Sequence, residues 1–186
     1  MGAGVIPFSV SDGTVYFLFQ TTFTGRKVGY LIDFGGGLDT GESGQDAAMR
    51  EFIEETETMY FSDNLLQAIR TEERVKQQTP IVEALFNETL SDHPDWWCKR
   101  APGNNPTPKV WRTFFIEFPY RDIEELNREW AADNIGRFKK RRELFWVAGN
   151  ELLAIYDNAP DKLWKRVRQL ENAKETVYSI LQRKEF

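Results

Sequence analysis

Apolar positions recur with a period of two near the start of the chain. Val5 to Val10 reads as a strand, and Ser11-Asp12-Gly13 follows as a turn signal, Asp-Gly favouring a tight hairpin. Val15, Phe17 and Phe19 then alternate with Tyr16, Leu18 and Gln20, which predicts a second strand covered on both faces. A polar loop over 21–27 leads to a third strand at Tyr30 to Phe34, and that strand feeds a glycine turn at Gly35-Gly36-Gly37. The period then changes to that of a helix. Ser43 is an N-cap candidate with Asp46 three residues on, a variant of the capping box. Ala48, Phe52 and Ile53 give this helix one face for a core.

Further along, Leu65, Leu66 and Ile69 suggest a helix, while Ile81 to Phe86 fits helix or strand by length. Residues 91–109 carry four prolines, Trp96 and Trp97, and read as an insertion loop or lid. Val110 to Phe118 is a strand halted by Pro119, Arg121 to Trp130 is helical, and Glu143 to Val147 is a last strand before a short helix at Asn150 to Tyr156. From Pro160, the positions Leu163, Val167, Leu170, Val177 and Leu181 predict one C-terminal helix over 160–183. Strands interleaved with helices imply an α/β layer arrangement in one domain, 1–186.

Composition narrows the function classes. At 41% hydrophobic and 14% aromatic residues the chain is globular and not disordered. A net charge of −5 argues against nonspecific nucleic-acid coating, though a local basic patch stays open. The single Cys98 leaves no internal disulfide partner, and the single His93 excludes a His-rich metal site. No apolar run is long enough to span a membrane, and no signal-peptide pattern opens the sequence, so the expectation is a cytoplasmic protein.

The helix after the glycines carries Arg50, Glu51, Glu54 and Glu55. Positions i, i+3 and i+4 share a face, so three carboxylates crowd one turn and repel. Arg50 offsets part of this by pairing with Glu54 and with Asp46. A divalent cation is the candidate for the remainder, with a backbone carbonyl of the glycine segment, at Gly35, as a further oxygen ligand. Oxygen-only donors suit Mg²⁺ or Mn²⁺, not zinc. The plainer reading is a solvated acidic helix face.

These residues resemble the Nudix box, G-x5-E-x7-R-E-U-x-E-E-x-G-U, where U is a bulky apolar residue. Over 36–58, Gly36 is the first glycine, Glu42 the first acid, and Arg50, Glu51, Phe52, Glu54 and Glu55 fill R-E-U-x-E-E without a gap. Glu57 stands where the family has its late glycine and Thr58 where it has its last apolar residue. That glycine ends the helix in a left-handed turn, so with Glu57 the helix is expected to run on toward Met59.

The resemblance implies a Nudix-like α/β/α sandwich with a mixed, partly antiparallel sheet. It implies a Mg²⁺- or Mn²⁺-dependent hydrolase that cleaves a diphosphate bond in a nucleoside diphosphate linked to another group. Glu54 and Glu55 are then the main metal ligands, Glu51 a ligand or the base, and Arg50 the residue that orients a carboxylate, with Glu42 as its second partner. Family members also place the base outside the box, where Glu117 and Glu143 are the candidates here. The plainer reading of each is a surface acid.

The basic run Arg137 to Arg142 is either a solvated face or a binder of substrate phosphates, with Arg142 the assigned residue. Trp97, beside Trp96, is a candidate for stacking on a nucleobase, or else both pin the loop to the core. Two other readings compete with the enzyme: a catalytically inactive Nudix-like nucleotide-binding module, and a scaffold whose acidic face is accidental. The sequence leaves the substrate open among ADP-ribose, dinucleoside polyphosphates, oxidised nucleoside triphosphates, capped RNA and inositol diphosphates. The expected partner is a small nucleotide or other diphosphate, with no membrane and no nucleic acid beyond a capped or triphosphate end; the oligomeric state is open.

Overall fold

The structure is a computed structural model that describes residues 1–185. β1 (Gly2–Ser11) and β2 (Thr14–Thr22) form the predicted hairpin, with Asp12 and Gly13 at φ 50° and 77°, the left-handed pair that such a turn requires. β3 (Phe34–Gly37), α1 (Gly44–Glu55), α2 (Glu72–Asp92), β4 (Trp97–Lys99), β5 (Trp111–Glu117), α3 (Glu124–Ala132), β6 (Arg142–Ala148), α4 (Gly149–Asn158), α5 (Lys165–Arg168) and α6 (Ala173–Lys184) follow. The sheet runs β4-β5-β1-β2-β6, with β3 added beside β1. Only the β1–β5 pairing is parallel; the others are antiparallel. This is the expected mixed, partly antiparallel sheet between helices.

The period-two pattern divides the core in two. Val5, Leu18, Phe114, Ile116 and Leu144 face α1, α2 and α3. Ile6, Phe8, Phe17, Phe19, Phe115 and Val147 face α4, α5 and α6. One face of each strand therefore belongs to each layer.

Several expectations change. Tyr30 to Asp33 is not a strand, with only isolated bridges at Leu31 and Ile32; of the expected span, Phe34 alone belongs to β3. The glycines themselves are the strand, because β1 has a free N-terminal half and pairs Gly2 to Val5 with Phe34 to Gly37. The two backbones approach so closely that a Cβ at Gly35 would lie 2.4 Å from the Ala3 carbonyl oxygen. Residues 63–90 hold a short 3₁₀ turn, Leu65–Gln67, and the single long helix α2. Part of 91–109 is ordered as the edge strand β4. The stretch 160–183 is not one helix: it breaks into a 3₁₀ turn (Pro160–Lys162), α5 and α6. Backbone bonds from Leu31 to Lys162 and from Glu171 to Lys99 pull it onto the segment before β3 and onto β4, and Asn172 takes φ 60° at the break.

α1 starts as expected: the Ser43 hydroxyl accepts from the Asp46 amide, and the Asp46 carboxylate accepts from the Ser43 amide. It does not run on to Met59. The Thr58 amide donates to Ile53 and the Glu57 amide to Glu54, with Glu57 and Thr58 at φ 52° and 60°. This is a Schellman stop with a glutamate in the glycine position. Among the described residues, no helix is long and apolar enough to cross a membrane.

Candidate active site

α1 and β3 pack together, and this brings the charged box residues against the glycine strand. Arg50 is the hub. Its Nε and Nη2 donate to the two oxygens of Glu42 at 2.8 and 3.0 Å, a two-pronged fit of guanidinium to carboxylate. Nη1 donates to Glu51 at 3.0 Å and Glu54 at 3.3 Å, and Nη2 also reaches the Gly37 carbonyl at 3.0 Å. All the donors of the guanidinium are thereby engaged. The bond from Arg50 holds the Glu42 carboxyl below its ordinary range, and Glu42 in turn holds Arg50 above its own. Asp46 is not a partner of Arg50, contrary to expectation, because its carboxylate is occupied in the helix cap. The Glu42 neighbour Asp39 lies 3.4 Å from Nε instead.

The Glu51 carboxylate lies against β3. A Cβ on Gly36 would sit 2.2 Å from Glu51 Oε1, so the glycine is the space this carboxylate fills. Glu54 Oε2 accepts from Arg70 at 2.7 Å as well as from Arg50. Glu55 points inward: Oε2 accepts from the Gly35 amide at 2.9 Å and from Gln20 Nε2 at 2.8 Å. Burial pushes the Glu55 carboxyl up to about 7, against the pull of Arg166 and Arg142. Arg142 is nearly buried; its Nε donates to Gln20 Oε1 at 2.9 Å and its Nη2 lies 3.9 Å from Glu55. Gln20 therefore links Arg142 to Glu55.

Arg50 offsets part of the carboxylate charge, as expected, and Arg70 and Arg142 add to it. Among the described residues, no three acidic, histidine or cysteine side chains stand grouped as a metal would hold them. The donor set nevertheless has the chemistry of a hard divalent cation, since it offers carboxylate oxygens beside a glycine strand and no sulfur or imidazole. Gly35 enters through its amide, as a donor to Glu55.

The other sequence candidates lie elsewhere. Trp97 is on edge strand β4, under Arg112 and beside Ser43 to Gln45 at the start of α1, apart from Arg142. Trp96 is 1% exposed and stacked on His93, so it pins this segment to the core. Glu117 and Glu143 alternate with residues that face α1, which puts both on the opposite face of the sheet; Glu117 pairs with Lys184 of α6. Neither is beside the carboxylate cluster. Arg137 is structural: it pairs with Glu129 and donates to the Leu65 and Ala68 carbonyls. Sequence reasoning missed Arg70, Gln20, Asp33 and Arg166, which are single residues that reach the site only through tertiary contact. Asp33 alone had a local signal, as an acid one residue removed from the glycines.

No family model matches the chain. An uncharacterized protein, L534, of Acanthamoeba polyphaga mimivirus is 40% identical over 62 residues, a stretch spanning 32% of this chain and 20% of that relative. Among solved structures, a C. elegans Ap4A hydrolase is similar at a TM-score of 0.49 and 14% identity, covering 97% of this chain and 95% of that one. A mutT/nudix family protein from Listeria innocua is similar at 0.48 and 16% identity, covering 98% and 93%.

Proposed function

We propose that this chain is a Nudix-type hydrolase that uses Mg²⁺ or Mn²⁺ to cleave a diphosphate bond in a nucleoside diphosphate or related compound. The observation that carries the reading is the Arg50 hub, which gathers Glu42, Glu51 and Glu54 on one side of α1 against β3. Every residue of that hub stands at its place in the box pattern.

In this reading Glu54 and Glu55 would hold the cation, with Glu51 beside them, and the bound cation would supply charge neutralisation of phosphate oxygens and a coordinated water of lowered pKa. Glu51, fixed by Arg50 and by the space over Gly36, takes the proton as the water oxygen bonds to phosphorus and the bridging P–O bond breaks. Arg50 keeps the carboxylates in place, and Arg142 offers positive charge to a phosphate at the inner end of the site.

One observation favours the second reading, a nucleotide-binding module without turnover: Glu54 Oε2 is held by two arginines at once. A panel of diphosphates with Mg²⁺ and Mn²⁺, scored by the phosphate that added alkaline phosphatase frees from the monoester products, separates the two. E54Q is expected to abolish turnover and keep the native circular dichroism spectrum. Wild-type activity in that variant would overturn the assignment.

A further inference from the structure

The register of β2 against β6 pairs Thr22 with Arg142, so the segments leaving that end of the sheet, 23–27 and 133–141, lie side by side. Between them is a groove of about 660 Å³. Six cationic side chains line it: Arg26, Lys27, Lys139, Lys140, Arg141 and Arg142. The one acid in the lining is Asp133, and its oxygens accept the amides of Ile135, Arg137 and Phe138. Arg142 lies near Glu55; among the described residues the other five cations have no carboxylate within ion-pair distance. In a chain of net charge −5, this is a strong local excess of positive charge.

The groove meets the candidate active site. Arg142 forms its inner wall and approaches Glu55 through Gln20. Lys139 lines both this groove and the cavity of about 610 Å³ that runs past Glu42, Arg50 and Glu54. A ligand with one end at the carboxylates thus has its other end among the cations.

We infer that this groove binds the phosphate-rich arm of the substrate, a compact ligand that carries several phosphate groups besides the diphosphate being cleaved. The inference rests on the proposed diphosphatase reading for its chemistry, but not for its binding. Charge density favours a compact ligand over an RNA strand. A strand spreads its phosphates along its length, one per nucleotide, whereas the cations are gathered around a single groove of about 660 Å³. Several phosphates on a small framework match the six cations better. Phe23, 41% exposed with Arg141 stacked over it, closes one side with a flat apolar surface.

Calorimetric titration of the full chain in metal-free buffer tests this. The probes are inositol hexakisphosphate, a compact ring with a phosphate on every carbon, and hexauridylate, a short RNA. The hexakisphosphate is expected to bind one to one and at least ~10-fold tighter than the RNA. K139E/R141E changes two exposed side chains and should weaken that binding by ~10-fold or more. K99E/K174E makes the same change of charge outside the groove and should bind as the wild type does. Equal binding by K139E/R141E and wild type, or tighter binding of hexauridylate, would overturn the inference. E54Q keeps the two readings apart. If it binds the probe like wild type while wild type cleaves no diphosphate, the hydrolase reading fails and the groove stands. If wild type cleaves diphosphates but K139E/R141E binds unchanged, the groove fails and the hydrolase stands.

Discussion

Arg166→Met should be the most damaging single change outside the box. Asp33 is fully buried immediately before β3, and its Oδ1 accepts from Arg166 Nε at 2.6 Å. Its Oδ2 accepts from the Thr113 hydroxyl at 2.9 Å, and Thr113 accepts in turn from the Trp111 indole. The absence of a side chain on Gly4 makes the room, since a Cβ there would stand 2.6 Å from Oδ2. Arg166 reaches this place because the 160–168 segment is bonded to Leu31, and its guanidinium lies 4.1 Å from the Trp111 ring. Methionine keeps the stem against Trp111 but removes the counter-charge of a buried carboxylate. Breaking a buried pair from one side costs about 3–5 kcal/mol. For a chain of this size that is a fall in Tm of about 6–20 °C. Urea unfolding should show a lower midpoint with an unchanged m value. D33N/R166M should recover much of the loss, with a coupling energy of about 2 kcal/mol in the double-mutant cycle. A loss below about 1 kcal/mol in R166M, or additivity within about 0.5 kcal/mol in the cycle, would refute the reasoning.

Three further outcomes are expected. S43A should destabilise the protein by about 1 kcal/mol through loss of the α1 cap, while S43G costs only a few tenths; urea titrations that show equal losses would contradict this. G36A should leave the unfolding midpoint near wild type yet cut turnover by about 100-fold, because the new Cβ displaces the Glu51 carboxylate, a flexible end, and not backbone. Full activity in G36A would show that the Glu51 position is immaterial. Cys98 is buried, and burial raises its thiol above the ordinary value, so a colorimetric thiol reagent should label it fully in denaturant and only slowly in the native protein; rapid native labelling would contradict the packing.

The parts of the fold that were legible in the sequence are those decided locally. The Asp12-Gly13 hairpin and the capped start of α1 each need only neighbouring residues, and both formed as read. β3 was not legible because three glycines signal a turn in isolation; they become a strand only when Gly2 to Val5 lies beside them. The C-terminal spacing misled for a related reason. Leu163, Val167, Leu170, Val177 and Leu181 are all buried, but in separate pieces, one bonded to Leu31 and another to β4, and apolar spacing does not record a break. The candidate site divides the same way. The contiguous set from Glu42 to Glu55 was readable. Arg70, Gln20 and Arg166, which answer its charges, come from a loop, a strand and a short helix with no shared pattern. The face on which Glu117 and Glu143 stand is not legible in the sequence, because strand parity cannot be fixed to a face without the register.

The end of α1 argues that its acids have a task besides packing. Glu54 and Glu55 lie in the last turn, where unpaired carbonyls make the helix terminus negative and cations are favoured. No basic residue stands in that turn. The left-handed stop at Glu57 adds about 1–2 kcal/mol of backbone cost relative to glycine. It is held by tertiary bonds: Glu57 Oε1 accepts from the Lys140 amide, and the Thr58 carbonyl accepts from Gln78. A helix that only covered the sheet would gain by carrying lysine at position 54, with no loss on its buried face. Instead the chain keeps two carboxylates at an unfavourable terminus and recruits Arg50, Arg70 and Arg142 to offset them. Under the proposed reading these carboxylates stand there as oxygen donors for a cation, a role that a face merely meeting water would not need.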